Sequence, residues 1–230
     1  MSERIILVVA AHPDDESLGC AGTIASHVER GDKVHVIFMS DGVTSRADTK
    51  VEEVRARKKA AKDACSILGV EKSPEFLGFP DNRMDTIALL DIVMTLEQVI
   101  NKIKPEIIYT HHFGDLNIDH RITHQAVMTV CRPQPKSFVS EIYSFEVLSS
   151  TGWNSSRSEN EFIPNVFIDI RKTWQKKIKA LYCYNDELRD FPHTRSYKNI
   201  EALATYRGAN VGIEYAEAFA LERKVIKEIF

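Results

Sequence analysis

Two short segments of the chain concentrate histidine and aspartate. The first is Ala11-His12-Pro13-Asp14-Asp15-Glu16, with a histidine and three carboxylates in five successive positions. The second, residues 111–120, contains three histidines and two aspartates. Adjacent carboxylates repel each other, and the positive end of a helix stabilises a carboxylate by only about 0.3–1 kcal/mol. A divalent cation would relieve this repulsion, so the pattern predicts a metal site.

The spacing of these residues suggests which of them bind the metal. His12 and Asp15 are three positions apart across a predicted strand-to-helix turn, which can bring both side chains to one point. Catalytic zinc usually has three protein ligands and one water, and His120, at the predicted start of a helix, is the best third ligand. Histidine with carboxylate favours Zn²⁺, with Fe²⁺ or Co²⁺ as alternatives. The competing interpretation is a negatively charged helix start with an incidental histidine.

Other polar residues near these segments have two interpretations each. Asp81 and Arg83 lie in a polar loop and either bind substrate hydroxyl groups or pair with each other in a turn. His111 and His112 end a predicted strand, where a histidine is either functional or a satisfied wall residue. His124, one helical turn after the third ligand, is expected to pack or to support the site.

The order of strands and helices predicts how these segments are positioned. Apolar runs predict strands at 4–11, 33–39, 75–77 and 106–110, and near 141–145 and 165–170. Helical spacing predicts helices after Pro13 up to Gly31, over 50–68 and 86–103, for about a dozen residues after 120, and over most of 172–209. This alternation predicts an α/β, Rossmann-like fold with a mostly parallel sheet and helices on both faces. Loops that follow strands one and four should then meet at a ligand-binding edge.

Three later segments are less regular. Residues 149–160 are polar and predict a surface loop, and residues 189–196 interrupt the helical region before 209. The tail from Ala216 is amphipathic. The basic residues of the helix over 50–68, Arg57 among them, are expected to face solvent, and Trp153 is expected to pack.

Length and composition limit the classes of protein to consider. A chain of 230 residues predicts one domain, with a core over 1–132 that holds the metal site and a part over 133–230 that completes the substrate pocket. A net charge of −3 gives no field for nucleic acid or lipid, and no segment reads as membrane-inserted or as a secretory signal, so a cytoplasmic location is expected. The four isolated cysteines predict buried free thiols. Oligomeric state stays open, homo-oligomers included.

Both histidine-rich segments resemble a known family. The sequence AHPDDE at 11–16, with GDLNIDHR at 114–121, resembles the PIG-L/LmbE family of metal-dependent N-deacetylases. The resemblance continues through Phe76–Asp81 and more loosely over the first 130 or so residues. It implies a Rossmann-like fold, zinc held by His12, Asp15 and His120, Asp14 as general base, and substrates with an N-acetylglucosamine-type group.

The chain departs from this family at one position. Many members have a histidine three residues before the third ligand, and this sequence has Asn117 there. Asparagine can donate a hydrogen bond to substrate but cannot transfer a proton at neutral pH. The proton for the leaving amine must then come from Asp14 or from His111, His112 or His193. His193 is favoured because it lies in the polar segment that interrupts the helical region.

These observations together predict a zinc-dependent hydrolase that removes an N-acetyl group from an amino sugar by attack of activated water. The sugar could be free, nucleotide-linked or otherwise conjugated. A metal-dependent amidase that acts on a non-sugar amide, such as a thiol conjugate, is an alternative. A non-catalytic carbohydrate-binding protein with a retained metal is another, which Asn117 favours and Asp14 argues against.

Overall fold

The computed structural model describes residues 3–135, 137–155 and 158–226. One seven-stranded sheet in the order β3-β2-β1-β4-β5-β7-β6 forms its centre. The strands are β1 (Ile5–Ala10), β2 (Lys33–Phe38), β3 (Glu75–Phe76), β4 (Ile107–His111), β5 (Glu141–Phe145), β6 (Val166–Asp169) and β7 (Ala216–Lys224). The helices are α1 (Asp15–Glu29), α2 (Val51–Leu68), α3 (Leu89–Ile103), α4 (Ile118–Val130), α5 (Trp174–Tyr182) and α6 (Tyr197–Ala209).

The first five strands pair in parallel, as their alternation with helices predicts. Strand β1 lies among them, and its residues Ile6 to Ala10 are fully buried because helices cover both faces. Alternate strand residues face two apolar clusters. One lies against α1, α2, α5 and α6, and the other lies against α3 and α4. The predicted fold class is therefore confirmed.

The later part of the chain adds detail that local patterns do not contain. The amphipathic tail forms β7, which lies between β5 and β6 and is antiparallel to both. Residues 149–160, predicted to be a surface loop, include two 3₁₀ turns and bury Ser149 and Ser150. All four cysteines are free thiols, as expected, although Cys183 is only partly buried. None of the described helices is long and apolar enough to cross a membrane.

The direction of the chain across the sheet reverses beside β1. Strands β2 and β3 extend the sheet on one side of β1, and β4 and β5 extend it on the other. A parallel sheet opens a crevice outside the carboxyl ends of its strands at such a point. The two histidine-rich segments follow β1 and end β4, so the fold brings both to this crevice.

Helix α1 is broken five residues after it begins, and a buried ion pair fills the break. Cys20 has non-helical angles (φ −147°, ψ 20°). Glu217 of β7 accepts the N–H groups of Gly22 and Thr23 at 2.9 and 2.7 Å, and Lys177 of α5 donates to the Leu18 carbonyl at 2.9 Å. The Lys177 ammonium also lies 2.6 Å from Glu217. The two charges thus replace the hydrogen bonds that the break removes.

We expect Lys177→Met to destabilise the protein by about 3–5 kcal/mol, because it leaves the buried Glu217 carboxylate without its cation. Urea unfolding would measure the change. Lys176→Met is the matched control, since Lys176 pairs with Glu29 at the surface and should change the free energy of unfolding by no more than about 1 kcal/mol. Equal effects of the two substitutions would contradict this role for Lys177.

Candidate active site

The loops after β1 and β4 bring the three predicted metal ligands together. Nδ1 of His12, Oδ2 of Asp15 and Nε2 of His120 form a triangle whose three sides are each 3.3 Å. A tetrahedral zinc ion with bonds of about 2.0–2.1 Å needs ligand atoms separated by about 3.3–3.4 Å. All three side chains are buried. The donor types and their spacing therefore fit a divalent metal.

Each ligand histidine has its other nitrogen against a carboxylate. Nε2 of His12 lies 3.2 Å from Asp119 and 3.3 Å from Asp81, and Nδ1 of His120 lies 3.2 Å from Asp115. These carboxylates accept the ring N–H, which leaves the lone pair of the opposite nitrogen for the metal. His12, Asp81 and Asp119 also form a compact group of possible ligand atoms, but hydrogen bonding within it orients His12.

The same carboxylates shift the protonation of the ligands. Burial lowers the pKa of His120, but the nearby Asp15 and Asp115 carboxylates outweigh it and raise that pKa to about 9. Burial raises the pKa of Asp115, but the facing His120 brings it down to about 2. Without a metal, the cluster therefore holds a proton on His120 at neutral pH.

His111 forms the wall behind the ligands. Its ring stacks on that of His120 with centroids 3.9 Å apart, and its Nε2 accepts the Ala11 N–H at 2.8 Å. Burial lowers the pKa of His111 well below its usual value. The ring is thus neutral, with its Nε2 lone pair engaged by the backbone.

Asp14, the predicted base, is held in a strained backbone conformation beside the ligands. Its φ is 122°, a value that non-glycine residues rarely adopt and that costs about 1–3 kcal/mol. Glu16 stabilises this turn, because its carboxylate accepts the Asp14 N–H at 3.1 Å and the Tyr184 hydroxyl at 2.8 Å. Burial raises the pKa of Glu16 to about 7.

Two arginines approach the Asp14 carboxylate. Arg195 lies 3.0 Å from Oδ2 of Asp14, and Arg57 lies 3.7 Å from the same oxygen. Glu187 contacts both guanidinium groups, the one of Arg57 through a short hydrogen bond. Asp14 thus keeps one oxygen on arginine, whereas its Oδ1 has no hydrogen-bond partner among the described residues.

Arg57 corrects the expectation that the basic residues of α2 face solvent. Its side chain is 7% exposed and also donates to the Pro13 carbonyl at 2.8 Å. The sequence contained the signal, since Arg57 lies four and seven positions before the buried Ala61 and Ala64, on the apolar face of the helix.

A cavity of about 310 Å³ opens beside the metal ligands. This volume is at the lower end of the range for ligand sites, about 300–1,000 Å³. Its lining includes the ligands His12 and His120 and the residues Asp14, Gly42, Ser45, Arg46, Arg57, Asp81, Asn82, Asn117, Ser149, Ser150, Trp153, Glu187, Arg189, His193 and Arg195. The cavity therefore combines the floor after β1 and β4 with walls from residues 149–153 and 187–195.

Besides Asp14, three of the predicted substrate and proton-transfer residues line this cavity. Asp81 does so beside His12. Asn117 caps α4 by accepting the Asp119 N–H at 2.8 Å. His193 accepts the Arg195 N–H on Nδ1 at 3.0 Å.

Arg83 and His112, predicted to bind substrate, do not line the cavity. Arg83 is exposed at the start of a 3₁₀ turn. His112 is 1% exposed, and its Nε2 contacts the Asn160 carbonyl at 3.0 Å. Arg83 faces solvent and His112 is enclosed by protein, so neither side chain is placed to contact a substrate in this cavity.

Three cavity residues escaped sequence reasoning for different reasons. Glu187 and Arg195 carry no local motif, and they contact Arg57 and Asp14 across 130 and 181 positions. Trp153, expected to pack, is 52% exposed at the cavity and meets the His193 ring edge-on at 5.5 Å. An aromatic residue within a polar loop was the only local signal for it.

We expect Asp115→Asn to weaken metal binding about 10–100-fold, because Asp115 orients His120 and increases its basicity. Competition with a chromogenic chelator would measure the affinity. Asp91→Asn, at an exposed position on α3, is the control and should leave it unchanged. An unchanged affinity in Asp115→Asn would refute the orienting role.

Metal affinity should rise with pH up to about 9, because the metal must displace the proton that His120 holds below its pKa of about 9. One displaced proton corresponds to about a tenfold gain per pH unit. Calorimetry in buffers of different ionisation enthalpy would count the protons released. Binding with no proton release at pH 7 would contradict this charge state.

Comparisons with known proteins identify relatives that align with most of this chain. The chain is 29% identical over 174 residues to the uncharacterized deacetylase YaiS of Escherichia coli K12, which covers 74% of this chain and 83% of that protein. It is 28% identical over 201 residues to 4-oxalmesaconate hydratase of Pseudomonas putida, and this alignment covers 79% of this chain and 73% of that protein.

A solved structure shows the same fold. The N,N'-diacetylchitobiose deacetylase of Pyrococcus horikoshii superposes with a TM-score of 0.76 at 20% identity, covering 98% of this chain and 86% of that one. The sequence profile of PIG-L, described as GlcNAc-PI de-N-acetylase, matches residues 7–131, which is more than half of the chain. The chain therefore belongs to the PIG-L family.

Proposed function

We propose that this protein is a metal-dependent hydrolase that removes the N-acetyl group from an N-acetylglucosamine-type amino sugar. The observation that carries the proposal is the 3.3 Å triangle of His12, Asp15 and His120 beside the Asp14 carboxylate, within a cavity of about 310 Å³. The family description, GlcNAc-PI de-N-acetylase, names removal of an N-acetyl group, which supports the reaction. Zn²⁺ is the metal that the ligand set favours, and Fe²⁺ and Co²⁺ fit the same donors.

A divalent metal bound there would polarise the amide carbonyl and acidify water. Asp14 then accepts the proton of the attacking water. Its Oδ2 is fixed by Arg195 at 3.0 Å, which leaves Oδ1 as the accepting atom. The turn at Asp14 fixes where its side chain begins, and the ion pair with Arg195 limits how that side chain rotates.

The leaving amine needs a proton, and the residues favour two sources. Asp14 gains one in the first step and can return it. His193 lines the same cavity, but its Nδ1 accepts the Arg195 N–H, so it would have to release that contact and take up a proton before it could act as the acid. Asn117 can hold a substrate hydroxyl or carbonyl but supplies no proton.

The hydratase relative makes water addition to a carbon–carbon double bond a second candidate. That protein is 28% identical to this chain, and such a reaction would also use activated water and a general base. Mass spectrometry separates the two reactions. Deacetylation splits the substrate into acetate and amine, whereas hydration gives one product that is heavier by one water.

We expect Asp14→Asn to lower kcat for deacetylation by about 10²–10⁴-fold while bound metal stays near wild type, because Asp14 accepts a proton and is not a metal ligand. Amine release from N-acetylated sugars and from amide conjugates of thiols, with metal analysis of each variant, would test this. Asp41→Asn, in the loop after β2, is a carboxylate control with full activity expected. Full turnover by Asp14→Asn would contradict the role of Asp14 as the base. Amine release from the thiol conjugates alone would show that the substrate is a non-sugar amide and not an amino sugar.

A further inference from the structure

We propose that the outer wall of the cavity is an anion subsite, so that the preferred amino sugar carries an acidic group, a carboxylate or a phosphate, held by Arg46 and Arg189. This inference rests on the proposed function, because it specifies the substrate of the same cavity. Both arginines line that cavity.

Arg189 is fixed without being neutralised. Its Nη1 donates to the carbonyl oxygens of Asp186 and Leu188 at 2.6 and 2.8 Å. Its Nε and Nη2 have no partner, and the guanidinium has no carboxylate within ion-pair distance, among the residues that the structure describes. Carbonyl groups orient the side chain but leave its full positive charge for a ligand.

Arg46 is held by a carboxylate and not by carbonyl groups, but it also keeps N–H groups available to a ligand. Its Nη2 donates to both oxygens of Glu187 at 2.8 and 2.9 Å, and the side chain is still 53% exposed. In the described part of the chain, its Nε and Nη1 have no hydrogen-bond partner. Glu187 also forms ion pairs with Arg57 and Arg195, so its single negative charge does not neutralise Arg46.

The charges of the wall do not balance without a ligand. Among the residues that the structure describes, four arginines line the cavity, and the carboxylates against them are Asp14 and Glu187. The third lining carboxylate, Asp81, lies against His12 on the cavity floor instead. A neutral sugar has no negative charge to pair with this excess of arginines, whereas an acidic group could accept two N–H bonds from one guanidinium.

The two outer arginines are separate from the catalytic carboxylate. Arg57 and Arg195 contact Asp14, and neither Arg46 nor Arg189 makes an ion pair with it. The subsite should therefore act through substrate affinity, and its loss should raise KM with little change in kcat.

The test compares three N-acetylglucosamine derivatives with the zinc-loaded enzyme: the neutral methyl glycoside, the carboxymethyl glycoside and the 1-phosphate. We expect kcat/KM to be about 10–100-fold higher for at least one acidic substrate than for the methyl glycoside. Arg189→Gln should remove about tenfold of this preference, because it raises KM more for the acidic substrates than for the methyl glycoside. Arg189→Lys should restore part of it, and Arg55→Gln, at an exposed position on α2, is the control.

Calorimetric binding of the amine products separates this inference from the proposed function. Arg189-dependent binding of glucosamine 1-phosphate, or of its carboxymethyl counterpart, would support the subsite even if no substrate were deacetylated, an outcome that would refute only the proposed function. Turnover and binding that are equal for neutral and acidic compounds would overturn the subsite and leave the deacetylase intact. Comparison of the carboxymethyl glycoside with the 1-phosphate shows which acidic group the subsite binds more tightly.

Discussion

The carboxyl end of the sheet depends on how its buried carboxylates are compensated. Six of them lie together with little solvent: Asp14, Asp15, Glu16, Asp81, Asp115 and Asp119. Burying an unpaired carboxylate is costly, so each needs a partner. Asp81, Asp115 and Asp119 face ligand histidines, Asp14 faces arginines, and Glu16 accepts three hydrogen bonds. Asp15 lies between His12 and His120, where a divalent cation would complete the compensation.

This requirement connects the two parts of the chain. Residues 7–131, which match the PIG-L profile, supply the three proposed metal ligands, their carboxylate partners and Asp14. Glu187, His193 and Arg195 come from the later part and close the wall around Asp14. The proposed reaction chemistry thus draws mainly on the matched region, and the wall around Asp14 also needs residues from the later part.

The meeting of His12, Asp15 and His120 could be predicted from the sequence because their geometry is local or follows from topology. His12 and Asp15 share one turn, and a parallel sheet brings the end of β4 to the same edge. The surroundings of Asp14 could not be predicted in this way. Arg57 reads as a surface charge unless its place on the apolar face of α2 is considered. Arg195 meets Asp14 across 181 positions, and the position of β7 between β5 and β6 depends on pairing that no local pattern encodes.

Isotope labelling tests the central claim most directly. Turnover of an N-acetylglucosamine derivative by the zinc-loaded protein in H₂¹⁸O should release acetate with one ¹⁸O atom and an amino sugar with none. Chelation should abolish the release, and added zinc should restore it. An intact product that has gained one labelled water, or acetate without label, would contradict hydrolysis of the amide by water activated at this site.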